Sequence, residues 1–280
     1  GLEHVLEPRG LLARAPLGDV ISGGRADLDW SVPAQIVSVV RSARPDVLVN
    51  AAAYTEVERA ESEPGSAYAI NAAAVAVLAE EAKLAQALFI HYSTDYVFDG
   101  TKDAPYVEED PPNPINVYGL SKLAGERAIT DIGGLYLILR TSWVYSARGR
   151  NFFLTMRRLL QEKDELRVVS DQIGAPTAAG DLAQATAELL RRHGAAGLGD
   201  AQGSYHATSS GSTSWHGFAA EIARLEKLDS RVRVVPIASS EYPTRAQRPR
   251  NSRLSNEKLR RQFGVALPSW EASLQGCYAK

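Results

Sequence analysis

Tyr118 and Lys122 stand four residues apart in the segment INVYGLSKLAGERAI. On a helix, positions i and i+4 share one face, so a phenol and an ammonium meet there. That pair is a plausible proton donor. A nearby cation favours phenolate, which predicts a Tyr118 pKa below the usual value of about 10. Three prolines, Pro111, Pro112 and Pro114, fit a loop feeding a helix that starts near Tyr118. The tyrosine then falls in the first turn, where the positive end of the helix dipole also favours an anion.

Elements that could present such a pair to a ligand follow from the hydrophobic pattern. Short aliphatic runs at Asp19–Ser22, Asp46–Asn50, Leu88–Ser93 and Leu135–Arg140 read as strands. They alternate with helices predicted over Pro33–Arg44, Gly65–Ala87 and the Tyr118 segment. Apolar strands separated by helices indicate a parallel sheet covered on both faces, a doubly wound Rossmann-type α/β architecture. Ligands in that class sit at the carboxyl ends of the strands. Here those ends are polar or small: Asn50 with Ala51–Ala53, then Ser93, Thr94 and Asp95, then Thr141, Ser142 and Trp143. The dinucleotide-binding part is expected over residues 1–150. A smaller, mainly substrate-binding lobe is expected over 151–280, interleaved with the first. In it, helices are predicted near 151–161, 177–192, 214–227, 255–263 and 268–279, with short strands at "RVVS" and "VRVVPI".

Composition narrows the partners. The chain has 280 residues, 45% hydrophobic and 23% charged, with formal net charge −2. That balance gives no case for a nucleic-acid or anionic-membrane partner. Apolar stretches fall well short of the roughly 20 residues that span a bilayer. One cysteine, Cys277, permits neither an intrachain disulfide nor a cysteine-rich zinc site. A cytoplasmic protein is expected. Glu56, Glu58, Glu61 and Glu63 read as a solvated helix face rather than a metal site, and His91 as a structural histidine. Asp171 and Gln172 are expected to shape a ligand pocket. Arg248, Arg250 and Arg253 could grip a diphosphate, because guanidinium donates to phosphate in a bidentate fork.

Six segments carry a resemblance: VNAAAYTEVERAESEP, HYSTDYVFDG, NVYGLSKLAGE, RTSWVY, DQIGAPT and RPRNSRL. Together they resemble the extended short-chain dehydrogenase/reductases, and within them the dTDP-4-dehydrorhamnose reductase branch, from about Ala15 to the C-terminal end. The resemblance implies Thr94, Tyr118 and Lys122 as a catalytic triad. Tyr118 would donate a proton, Lys122 would hold the nicotinamide ribose and Thr94 the sugar oxygen. It implies cofactor contacts at Ala53, Tyr54 and Thr55, adenine-side contacts at Asp29 and Trp30, and substrate contacts at Asp95 and Trp143, with Arg248 toward the diphosphate. The implied reaction is hydride transfer from NADPH (or NADH) to the C4 ketone of dTDP-4-dehydro-L-rhamnose. The substrate would be a small nucleotide-sugar, and a homodimer would be compatible.

One departure stands against that pattern. Such reductases open with a strand and a Gly-rich turn at a helix N-terminus, whereas GLEHVLEPRGLLAR has no such turn. His4, Glu7 and Pro8 fall where glycines or helix residues would stand, and the chain begins with Gly rather than Met. An incomplete start or weakened cofactor binding is expected. Magnesium has no convincing ligand set, with Arg9 near one relevant position. The runner-up is a reductase-like regulatory protein without turnover; an epimerase or dehydratase is a third reading.

Overall fold

The computed structural model describes residues 20–23, 28–197 and 201–278. Its centre is a four-stranded parallel sheet. The strands are β1 (Val47–Asn50), β2 (Leu88–Thr94), β3 (Tyr136–Thr141) and, from much later in the chain, β8 (Gly203–His206). They lie in the order β1-β2-β3-β8. Register places Asn50 beside His91, Ser93 beside Arg140 and Thr94 beside Thr141. The polar strand ends are therefore gathered at one edge of the sheet.

Both faces of the sheet are covered, as the continuous apolar runs require. Leu88, Ile90, Leu137 and Leu139 pack against α7 (Ala179–Gly197) and α9 (Glu257–Phe263), through Leu182, Leu189, Leu259 and Phe263. Phe89 and Ile138 point the other way. They meet Ile36 and Val40 of α1 (Pro33–Ala43), Leu78 of α4 (Ala74–Leu84) and Ile129 of α5 (Val117–Ile132). Alternation along β2 sends His91 to the same side as Phe89, toward α5.

The helix predicted over Gly65–Ala87 is interrupted. After the short helix α2 (Val57–Ala60), it runs as α3 (Pro64–Tyr68), a π-helical turn over Ala69–Ala73, and α4. Beside that turn, α5 packs so closely that a Cβ on Gly125 would stand 2.2 Å from the Asn71 carbonyl oxygen. Only glycine allows that approach.

A second core holds α6 (Phe152–Glu162) and α8 (Trp215–Leu225) against the parallel pair β5 (Glu165–Val169) and β10 (Arg233–Ile237). Two short pairs complete this region, β4 (Val144–Tyr145) with β7 (Thr177–Ala178) and β6 (Ile173–Gly174) with β9 (Thr213–Ser214). The final helix, α10, spans Trp270–Tyr278.

One predicted strand differs. Val20–Ser22, the described part of the run at 19–22, forms no strand, and Ile21 is 72% exposed. Three residues of β-compatible type do not make a strand without a paired neighbour, and these pair with none among the described residues. Residues 1–19, which hold the segment discussed above for its missing Gly-rich turn, lie outside the described residues.

Candidate active site

The carboxyl ends of β1, β2 and β3 meet the first two turns of α5. Asn116 caps that helix, its Oδ1 accepting from the Gly119 N–H at 2.8 Å, while its Nδ2 donates to the Gln247 carbonyl. Satisfying a first-turn N–H through an Asn side chain is the usual way to start a helix. Tyr118 follows as the second helical residue. Its ring meets Tyr96 edge-on, with centroids 5.5 Å apart. A Cβ on Gly119 would clash with the Tyr96 carbonyl at 2.2 Å, so the glycine lets the helix start press onto the loop after β2.

The Thr94 hydroxyl and the Tyr118 phenol are brought together, close enough to interact. Thr94 Oγ1 also lies 3.1 Å from Asp95 Oδ1 and accepts from the Tyr96 N–H. Burial pushes the Tyr118 phenol up to about 12; Thr94 opposes the rise and the Asp95 charge adds to it. This corrects the expected depression. Lys122 Nζ donates to the Tyr92 carbonyl at 2.7 Å and lies 3.2 Å from His91 Nε2. Desolvation brings this buried amine down to about 8, although Glu126 one turn on works to raise it. Desolvation also raises Asp95 to about 7, with the nearby Ser252 and Thr94 hydroxyls opposing the rise.

Around this centre the structure leaves buried polar atoms without protein partners: Ser93 Oγ, Asp95 Oδ2 and Thr141 Oγ1. Buried polar groups are normally paired, so a polar ligand fits the mouth they form. Next to them, Ala51–Thr55 run open above β1, with Ala51 and Thr55 exposed. Tyr54 is tied down instead, its hydroxyl to Glu63 at 2.9 Å and its N–H to Asn71. Asp29 is exposed before α1, accepting from the N–H and hydroxyl of Ser31, and Trp30 packs onto the α1/α4 core.

On the other wall, Trp143 has a left-handed backbone (φ 48°) and stacks on Trp215 with centroids 3.5 Å apart and planes 7° from parallel. Gly174 lies under the Trp143 ring, where a Cβ would stand 2.5 Å from Cε2. Arg248 Nη2 pairs with Glu58 Oε1 at 2.9 Å, and its Nε is buried without a partner. Arg253 is occupied by Asn251 Oδ1 and the Asp103 carbonyl, so of the three arginines it is committed to its own loop. Asp171 holds the N–H and hydroxyl of Ser239, 68 residues on.

The acidic run is more than a solvated face. Glu58 also accepts from the Arg245 N–H, Glu61 accepts from the Val117 N–H, and Glu63 pairs with Arg59. Burial works to raise the Glu58 carboxyl, but Arg248 and the two amides of Arg245 and Ala246 outweigh it and hold it low. Among the described residues, no group of three Asp, Glu, His or Cys side chains is placed to hold a metal ion. Nor is any helix among them long and apolar enough to cross a membrane.

A family model described as the RmlD substrate binding domain matches residues 11–280. The dTDP-4-dehydrorhamnose reductase of Burkholderia thailandensis is 48% identical over 272 residues, covering 94% of this chain and 91% of that one. The chain belongs to the dTDP-4-dehydrorhamnose reductase family. Its solved relatives superpose over nearly the whole molecule. The reductase ortholog from Clostridium acetobutylicum has a TM-score of 0.89 at 34% identity, over 99% of this chain and 93% of that one. The Bacillus anthracis reductase, solved in complex with NADP, has a TM-score of 0.84 at 38% identity, over 90% and 86%. The sequence resemblance and the Rossmann-type architecture are thus both established. Sequence reasoning missed three features around Thr94, Tyr118 and Lys122: the Asn50–His91–Lys122 contact, the Glu61 link to α5 and the Trp215 stack. The first is encoded in strand register, which no local pattern reports.

Proposed function

We propose that this protein reduces the C4 ketone of dTDP-4-dehydro-L-rhamnose to dTDP-L-rhamnose, using NADPH (or NADH). The observation that carries the reading is the meeting of Thr94, at the carboxyl end of β2, with Tyr118, in the first turn of α5, in a chain 48% identical to a named reductase. The names of the relatives support turnover over the regulatory reading. The open Ala51–Thr55 backbone beside Tyr118 and Lys122 fits the nicotinamide end of a dinucleotide, and a relative was solved with NADP. The residues that would meet the pyrophosphate belong to the segment outside the described residues.

When bound, the nicotinamide supplies the hydride. Everything else falls to the protein. Tyr118, held near 12, keeps its proton at working pH and can deliver it to an alkoxide, which is far more basic. Thr94 orients the phenol and the sugar oxygen. Lys122 would hold ribose hydroxyls, and its charged form offsets the phenolate left behind. Ala53, Tyr54 and Thr55 would line the nicotinamide side, with Asp29 and Trp30 toward the adenine. Asp95, Trp143 and Arg248 would face the nucleotide-sugar. A division into a dinucleotide-binding part (1–150) and a mainly substrate-binding part (151–280) suits these roles. The cytoplasm suits such a substrate.

The test follows NADPH oxidation with dTDP-4-dehydrorhamnose in the wild type and in Tyr118→Phe. Turnover in the first and a loss of at least about 100-fold in the second is expected. Equal rates, or none in either, would overturn the reading.

A further inference from the structure

His91 is completely buried, and Asn50 and Lys122 are nearly so, at 4% and 2% exposure. The three form a line. Asn50 Nδ2 lies 3.0 Å from His91 Nδ1, and His91 Nε2 lies 3.2 Å from Lys122 Nζ. Strand register builds the first contact, since Asn50 and His91 are direct neighbours on β1 and β2. The second follows from β2 turning His91 toward α5.

The hydrogen-bond roles along this line are not free. Asn50 Oδ1 accepts from the Ala52 N–H at 3.0 Å. That contact fixes which end of the amide is oxygen and leaves the NH₂ end facing the ring. An amide NH₂ can only donate, so Nδ1 must be the acceptor, and the single hydrogen of a neutral imidazole must sit on Nε2. Complete burial holds this ring well below its ordinary pKa, so it is neutral. Nε2–H therefore points at Lys122 Nζ. An ammonium there would set a donor against a donor. A neutral amine accepts from Nε2–H and still donates to the Tyr92 carbonyl at 2.7 Å.

We propose that Asn50 and His91 are positioning residues that favour the neutral amine of Lys122 in the cofactor-free enzyme. Any charged Lys122 must reverse the ring tautomer, which breaks either the Asn50–ring contact or the Asn50–Ala52 bond. Charging of the lysine is thereby coupled to the strand end, Asn50–Ala52, beside which a dinucleotide would lie. This inference rests on the role given to Lys122 above. The other charged groups nearby do not replace the device. Glu126 favours the ammonium but is committed to Arg140 at 2.7 Å, and Asp95 faces Thr94 and Tyr118. Tyr92 presents its carbonyl to Lys122, and its own hydroxyl goes to Thr186.

Nitrogen-15 NMR of the histidine rings in the full, cofactor-free chain at pH 9 tests this directly. His91→Phe assigns the signal among the five histidines. The wild type is expected to show the Nε2–H tautomer. Asn50→Asp keeps the oxygen that receives the Ala52 N–H but replaces the NH₂ with a second acceptor, so its ring should carry hydrogen on Nδ1. An Nδ1–H ring or an imidazolium in the wild type would overturn the proposal without any variant. In kinetics, the alkaline limb of kcat/KM should rise by about one pH unit in Asn50→Asp and should not move when His91→Phe is added. A shift that survives in the double variant means that the carboxylate acts through space, and overturns the coupling. Ring signals are read without turnover. Expected tautomers in a protein that oxidises no NADPH would leave this inference standing and remove the reductase reading.

Discussion

Glu61 Oε1 accepts a hydrogen bond from the Val117 N–H at 2.9 Å, across 56 residues of sequence. A carboxylate from the segment after β1 thus satisfies a first-turn donor of the helix that carries Tyr118. It is also a negative charge at the positive end of that helix. The segment after β1 and the helix start that carries Tyr118 are thereby coupled.

Removing this link should loosen the donor without unfolding the protein. Glu61→Ala is expected to cost about 0.5–2 kcal/mol of stability, as other cap losses do. It should lower kcat roughly tenfold through misplacement of Tyr118. Glu61→Gln keeps an acceptor oxygen and should recover most of both. Urea unfolding and steady-state kinetics on the two variants check this; equal kcat in Glu61→Ala and wild type would refute the coupling.

The pair Arg140–Glu126 is buried on both sides, 5% and 4% exposed, with a 2.7 Å contact. The Arg140 guanidinium lies over the Phe98 ring, 5.2 Å from its centroid. Breaking one partner strands the other charge in the core. Glu126→Ala should destabilise by about 3–5 kcal/mol, and the double change Glu126→Leu/Arg140→Leu by clearly less. Denaturant midpoints of the single and double variants decide it.

Asp95 gives a stability effect with a definite sign. Its folded pKa, about 7, lies above the unfolded value of about 3.9. The fold therefore favours the protonated acid. Stability from this group is fully present below pH 4 and is lost as pH rises from there through 7. Asp95→Asn should then stabilise by roughly 2–4 kcal/mol at pH 8, with the gain vanishing near pH 4. Unfolding at the two pH values measures it; a gain independent of pH would contradict the assigned cause.

Trp215 supports Trp143 by stacking at 3.5 Å. If Trp143 faces the nucleotide-sugar, Trp215→Ala should raise KM for that substrate several-fold and leave kcat nearly unchanged. Aromatic pairs of this kind contribute about 0.5–1.5 kcal/mol beyond their area. A fall in kcat at constant KM would argue that the stack serves the chemical step instead.

Much of this was legible in the residues. Continuous apolar runs identified β1, β2 and β3, and the prolines before Tyr118 announced α5, which begins one residue earlier, at Val117. The meeting of Thr94 and Tyr118 followed from placing both at one end of the sheet. The sign of the Tyr118 shift did not follow. The cation and the helix dipole are visible in spacing, whereas burial depends on Tyr96 and the whole loop packed around it. Spacing alone pairs Lys122 with the phenol, yet its amine meets His91, because β2 delivers that ring to the same side. Glu58 and Arg248 lie 190 residues apart, a separation at which only the folded chain reveals a partner.

β8 hydrogen-bonds along β3 from Leu137↔Gly203 to Arg140↔His206, although some 60 residues of other structure intervene. A ribosome must therefore release most of the chain before this sheet can be completed. A fragment ended near residue 150 would carry β3 as a bare edge, inviting aggregation. Attempts to graft the nucleotide-binding half onto another protein should carry residues 201–207 along with it.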